Sequence, residues 1–351
     1  MSSTEREIDP LQAARAARLR YVMDDEPGIS RQKTGKHFRY VNAAGEPIRD
    51  ENEIDRINHL RIPPAWTEVW ISPYPNGHIQ ATGRDAKGRK QYRYHERWTQ
   101  RRNLVKFSRM IAFGKALPGL RKHIQKDLRL PGLPREKVLA TLVELLDTTH
   151  IRIGNIEYAK SNQSYGLTTM HDKHVEVKGS TLRFHFRGKS GKEHEVDIQD
   201  QRLARIVRQC KDVPGQELFQ YVDEDGGRHP ITSGDVNDYL RAITGEDFTA
   251  KDFRTWGGTL LAIMAFRDCE PCESFNQAKK QVTATVKAVA EALGNTPAVC
   301  RRYYVHPLVI EAYQDGTLTD VLAHLKWLRH DNGLHPEERL VIAVLRQLEN
   351  A

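Results

Sequence analysis

Four side chains in widely separated settings could together break and remake a phosphodiester. Arg152 lies in Ile151-Arg152-Ile153-Gly154-Asn155, and Lys189 in Phe186-Arg187-Gly188-Lys189-Ser190-Gly191. Arg254 lies in Lys251-Asp252-Phe253-Arg254-Thr255-Trp256-Gly257-Gly258, and Tyr304 closes Gly294-Asn295-Thr296-Pro297-Ala298-Val299-Cys300-Arg301-Arg302-Tyr303-Tyr304. Guanidinium forks match phosphate oxygens bidentately, an ammonium can protonate a departing oxygen, and a phenolic oxygen can take a phosphoryl group covalently. Such chemistry calls for no metal and no nucleotide. Each side chain also has an ordinary reading: a surface arginine paired with a carboxylate, a plain helix start, a solubilising hairpin lysine, a core aromatic. Tyr303 and Tyr304 are equivalent on residue physics alone.

The flanking residues say what must position these groups. Thr249-x-x-Asp252 is a capping box opening a helix, in which Phe253, Trp256, Leu260 and Met264 form the buried stripe and Arg254 stands about 100° off it. A helix start with a guanidinium is a natural phosphate seat. Gly188 and Gly191 permit a tight turn that would carry Lys189 beyond a sheet, with Lys192 as the neighbouring decoy. That turn belongs to an alternating run, Val175, Val177, then Leu182, Phe184, Phe186, then Val196 and Ile198, which reads as a three-stranded meander.

The spacing predicts a small antiparallel-sheet domain over about residues 1–100, followed by a mainly helical domain over 101–351 that contains the meander. In the first part, residues 11–22 read as a short helix and Asp50-x-x-Glu53 as a capping box ahead of Ile54, Ile57 and Leu60. Strands are expected at Phe38 and Tyr40, over 66–72, 79–83 and 90–94. In the second part Leu104, Phe107, Ile111, Val138, Leu142, Leu145 and Leu146 keep helical spacing, and a last helix starts near Pro336. The fold class is therefore α+β.

Charge is concentrated. Residues 84–106 hold nine Lys/Arg against two acids, a net of +7 in a chain whose total is +8. Gln91, Tyr92, Tyr94 and Trp98 are interleaved with them, a pattern that suggests a polyanion footprint. The four cysteines, 210, 269, 272 and 300, form no disulfide framework, and Cys269-Glu270-Pro271-Cys272 lacks a second ligand pair at zinc spacing. The histidines at 171, 174, 185 and 194 do not share metal-binding spacing on one helix. The polar opening, Met1-Ser2-Ser3-Thr4-Glu5-Arg6, is unlike a secretory leader, and apolar runs such as 260–266 are too short to cross a bilayer. A soluble intracellular protein is expected.

In order, flanking residues and spacing, the four motifs together resemble the type IB DNA topoisomerases, specifically their compact poxvirus-like bacterial branch, from about residue 35 to about residue 310. The resemblance implies relaxation of supercoiled DNA through a 3′-phosphotyrosyl intermediate, strand rotation and religation, without ATP, metal or other cofactor. It selects Tyr304 as nucleophile, nine residues after the position held by Asn295. Arg152 and Arg254 would hold phosphate oxygens and Lys189 would protonate the 5′ oxygen, with Lys251 close to the scissile phosphate. Asn295 stands where viral and eukaryotic members carry histidine; an amide can donate to phosphate but does not titrate near neutrality. Asn155 and Tyr158 match groove-facing positions, while Arg89, Lys90, Gln91, Tyr92 and Tyr94 would contact duplex. The implied partner is double-stranded DNA, met by a cytoplasmic, nucleoid-associated monomer with no membrane and no obligatory protein partner. Two other readings stand beside it. A tyrosine recombinase uses the same nucleophile but typically has a histidine near the place of Lys251, and a DNA-binding architectural protein would bind without covalent linkage.

Overall fold

The computed structural model describes residues 10–35, 37–270, 272–325 and 333–350. The chain divides into two compact units, Met1–Ser108 and Arg109–Ala351. The polar opening at residues 1–6, and Pro271 of the two-cysteine motif, lie outside the described residues.

The first unit contains α1 (Pro10–Ala16), β1 (Ile29–Thr34), β2 (His37–Val41), α2 (Glu51–His59), β3 (Thr67–Ile71), β4 (Ile79–Arg84), β5 (Lys90–Tyr94) and α3 (Glu96–Ser108). The strands pair antiparallel in the order β2-β1-β3-β4-β5. Ile29, Val69, Ile71 and Ala81 face α2 through Ile57 and make the core of this unit. Helix α1 is shorter than the expected 11–22, ending at Ala16 ahead of Arg18, whose φ of 56° is left-handed. Strand β1, Ile-Ser-Arg-Gln-Lys-Thr, has too few apolar residues to alternate visibly and was not expected. The Asp50 cap forms, accepting from Asn52 N, but Glu53 turns to Arg56 at 2.6 Å and leaves the reciprocal half of the box unmade. Helix α3 runs through residue 100, so the expected boundary falls inside an element of the first unit.

The second unit opens with α4 (Met110–Asp127), α5 (Arg135–Thr149) and α6 (Ile156–Asn162), followed by β6 (Val175–Lys178), β7 (Thr181–Arg187) and β8 (Glu193–Gln199). These three strands form the expected antiparallel meander. Next come α7 (Gln201–Lys211), the small hairpin of β9 (Gln220–Val222) and β10 (Arg228–Pro230), then α8 (Ser233–Thr244) and α9 (Ala250–Arg267). The chain continues through α10 (Phe275–Ala292), α11 (Pro297–Tyr303), α12 (Pro307–Gln314), α13 (Thr317–His324) and α14 (Pro336–Asn350). Among the described residues no helix is long and apolar enough to cross a membrane.

Helix α9 is the central element, packed against α4, α5, α8, α10, α12 and α14. Phe113 of α4 meets Phe253 and Trp256 edge-on at 5.0 and 6.1 Å. Around this core Arg121 ties three helices together, reaching Asp147 of α5 and Glu338 of α14 at 2.7 Å each. Burial alone would raise the Glu338 carboxyl, but Arg121 and the backbone N–H of His335 outweigh it and hold the group below its usual range. Arg121→Met leaves two largely buried carboxylates without their cation, so the variant is expected to lose about 3–5 kcal/mol at pH 7. The sign with pH follows from the depressed pKa: the Glu338 contribution is complete above the unfolded carboxyl pKa of about 4.3 and is lost as pH falls below it. Calorimetric unfolding of both proteins from pH 7 to pH 3 should show the gap closing on the acid side, and a gap independent of pH would contradict the assignment.

Candidate catalytic site

Arg254 reaches the site from the first turns of α9. The capping box forms as expected, Thr249 N and Oγ1 donating to Asp252 Oδ2 at 2.8 and 2.9 Å. The expected stripe is too narrow, however, because α9 is enclosed nearly all round from Phe253 to Thr259. Arg254 is therefore only 4% exposed instead of standing on the flank. Its Nη1 donates to His150 O and its Nη2 to Leu293 O at 2.7 Å, while Nε is buried without a hydrogen-bond partner among the described residues.

Two glycines let other segments approach this helix. A Cβ at Gly257 would lie 2.5 Å from the His150 ring, and one at Gly258 would lie 2.6 Å from Tyr304 O. Thr259 then fixes the following segment: its Oγ1 donates to Tyr304 O at 3.2 Å and accepts from His306 N at 3.0 Å. Tyr304 caps α11, whose start is set by Thr296 and Pro297. Its ring meets the Arg254 guanidinium at 5.1 Å, whereas the Tyr303 ring meets Arg302 at 5.4 Å.

Arg152 follows the left-handed end of α5 at His150 and precedes Gly154, whose φ is 108°. Its Nη2 donates to Asn295 Oδ1 and to Gly294 O at 3.3 Å. Asn295 is 6% exposed and its Nδ2 is buried without a hydrogen-bond partner among the described residues. Burial, then the charge of Arg254, lowers the Arg152 pKa to about 10, which leaves it fully cationic at neutral pH. For Tyr304 burial by itself raises the phenol, but Arg254, through charge and a hydrogen bond, and then Arg152 and Lys251 outweigh it and hold the group below the usual tyrosine range.

The structure thus brings Arg152, Arg254, Asn295 and Tyr304 together. Lys251 is exposed on the first turn of α9 and acts on Tyr304 by charge. Lys189 stands exposed on the single 3₁₀ turn joining β7 to β8. The decoy is closer in: Lys192 Nζ donates to Asn295 O at 2.6 Å.

This cluster falls within a segment, residues 95–331, that matches the family described as eukaryotic DNA topoisomerase I, catalytic core. A DNA topoisomerase 1B of Acanthamoeba polyphaga mimivirus is 36% identical over 297 residues, covering 82% of this chain and 88% of the viral protein. The chain belongs to the type IB DNA topoisomerases. Relaxation of supercoiled DNA is the reaction of that family, an isomerisation. The enzyme is also 25% identical to the vaccinia virus (strain Copenhagen) DNA topoisomerase 1B over 300 residues, 83% of this chain and 91% of that one. Residues 37–85 match the bacterial DNA topoisomerase IB N-terminal domain, which favours this family over a recombinase and fits the bacterial branch.

The residues expected to meet duplex are in mixed states in this topoisomerase. Tyr92 and Tyr94 are 42% and 39% exposed on β5, stacked at 5.7 Å. Arg89 pairs with Asp85 and Lys90 with Asp24, each at 2.6 Å, and Gln91 Nε2 donates to Asp85 Oδ2 at 3.0 Å. Asp85 is already counted in the net of +7, and two acids outside the segment compensate part of it, Asp24 on Lys90 and Glu68 on Arg84 at 2.7 Å. Trp98 is not on the surface but buried with Ala14 and Leu19. Asn155 is the N-cap of α6, its Oδ1 accepting from Tyr158 N at 2.8 Å; Asn155 is exposed and Tyr158 half-buried.

Sequence reasoning missed His150, Thr259 and the packing role of Gly257-Gly258. The adjacent glycines inside a helical run were the one available signal, since glycine there is costly unless something packs close. Cys210, Cys269, Cys272 and Cys300 are free thiols.

Proposed function

We propose that Tyr304 Oη attacks a backbone phosphorus of duplex DNA, forming a 3′-phosphotyrosyl bond and expelling the 5′ oxygen, which takes its proton from Lys189. Arg152, Arg254 and Asn295 hold the charge developing on the phosphoryl oxygens, and Lys251 adds to the field. The cut strand swivels about the intact one under torsion, and attack of the 5′-hydroxyl reverses the link. The bond energy stays in the phosphotyrosine, so neither ATP nor a metal is needed. The observation that carries this reading is the convergence of two guanidiniums on a phenol held below its usual pKa, beside the buried donors Arg254 Nε and Asn295 Nδ2, which have no acceptor among the described residues. Phosphate oxygens are acceptors of the matching charge.

Over the N-terminal unit, Arg89, Lys90, Gln91, Tyr92 and Tyr94 would meet the duplex, and Asn155 and Tyr158 would read its groove from α6. The enzyme would work as a monomer, without an obligatory protein partner, on the DNA of the cytoplasmic nucleoid. Purified protein should relax positively and negatively supercoiled plasmid in EDTA without ATP. Relaxation that requires added Mg²⁺ and ATP would contradict the mechanism.

Binding has its own test. Replacing Lys87, Arg93, Arg97 and Arg101 with glutamine should weaken affinity uniformly across sequences and flatten the salt dependence by about 0.9 for each phosphate the protein no longer neutralises. An unchanged slope in a salt titration of duplex binding would remove 84–106 from the footprint.

A further inference from the structure

We propose that His194 is a positioning residue for the proton-transfer step, its ring docking the β7–β8 hairpin that carries Lys189 against the Gly294–Asn295 turn beside Arg152. This rests on the reading of Lys189 as the acid.

The hairpin side is defined by strand register. His194 pairs with Phe186 across β7 and β8, and the two rings stack at 5.0 Å with an interplanar angle of 5°. Gly188 lies beside the same ring: a Cβ there would fall 2.5 Å from His194 Cδ2. Gly188 has φ −93° and ψ −166°, extended backbone open to any residue, so its need to be small comes from the imidazole alone. Lys189 is the next residue. Gly188 N donates to Lys192 O at 2.7 Å and closes the hairpin under the 3₁₀ turn.

The turn side is equally tight. A Cβ at Gly294 would overlap the His194 ring, and φ of +60° there already favours glycine. Gly294 O accepts from Arg152, and the next residue, Asn295, takes Arg152 on its amide oxygen and Lys192 on its backbone oxygen. A flat ring thus fills the space between two glycines, one adjoining the proposed acid and one adjoining the phosphate-holding pair.

The His194 Nε2 is buried with no hydrogen-bond partner among the described residues, and the charged groups acting on the ring, Arg152, Arg254 and Lys192, are all cations. Burial first, and then these charges, push its pKa down to about 4, so the imidazole is neutral at working pH and adds no charge to the cluster. What the fold uses is its shape.

The test compares single-turnover cleavage of a duplex with the ordinary 5′ oxygen at the scissile bond and one with a 5′-bridging sulfur, whose thiolate departs without a proton. His194→Ala should slow cleavage of the oxygen substrate about 10–100-fold while cutting the sulfur substrate within about threefold of wild type, with duplex affinity unchanged. Equal losses on both substrates, or no loss on oxygen, would overturn the proposal. Gly188→Ala approaches the same packing from the other side and serves if His194→Ala is poorly folded. It should show the same oxygen-selective defect, and added to His194→Ala it should cost nothing more, because the obstructing ring is gone. Additive losses would count against the packing between the two residues. Lys189→Ala is run alongside: if sulfur fails to restore that variant, the acid assignment itself is wrong; if sulfur restores it but not His194→Ala, only the role of His194 is wrong.

Discussion

Tyr304→Phe is expected to abolish both the covalent DNA adduct and plasmid relaxation, while duplex affinity stays within about threefold of wild type. The substitution removes one oxygen, the only atom on that ring able to form a phosphoryl ester. The ring's packing is retained, since Tyr304 is held through its backbone by Thr259 and by the close approach of Gly258. Tyr303→Phe is the matched control and should keep adduct formation within about threefold, because it is the Tyr304 ring that meets Arg254, while the Tyr303 ring meets Arg302. Adduct surviving in Tyr304→Phe, or absent in Tyr303→Phe, would move the nucleophile by one residue.

Lys189→Ala should slow cleavage by about 10²–10⁴-fold, the range for removing a general acid, and a 5′-bridging sulfur should return most of that loss. Arg152→Ala and Arg254→Ala should stay defective on either substrate, because in the proposed mechanism they stabilise charge on the phosphoryl oxygens that sulfur does not relieve. The structure makes this experiment decisive between two lysines. Lys192 already donates to Asn295 O, while Lys189 is exposed at the turn. Rescue confined to Lys192→Ala would transfer the role to Lys192.

Much of the scaffold was legible because its signals are local. The meander at 175–198 shows in strict alternation, and the start of α9 in Thr249 and Asp252, since both depend on residues within a few positions. What escaped depends on tertiary enclosure. Periodicity put Arg254 on a flank because it registers one stripe, whereas α9 is surrounded by six helices and buries its guanidinium against the carbonyls of His150 and Leu293. Strand β1 escaped because its pairing with β2 and β3 supplies what its polar composition does not. The compensation of Lys90 by Asp24 likewise joins residues far apart in the chain, which no count of charges within 84–106 could reveal.

The candidate site was legible as residue types and spacings, and the choice of Tyr304 over Tyr303 rests on family resemblance. Geometry adds the surroundings: the glycines that admit Tyr304 and His150 to α9, and the cations that offset the burial of the phenol. These are close approaches between distant segments, invisible to any local pattern.

The most direct test of the central claim is to trap the adduct on a nicked duplex in EDTA, digest it with trypsin and sequence the DNA-linked peptide by mass spectrometry. The account predicts a single modified residue, Tyr304, esterified to a 3′ phosphate, with a 5′-hydroxyl on the released strand. A link at any other residue, a 5′-phosphoryl linkage, or no adduct without added metal would contradict it.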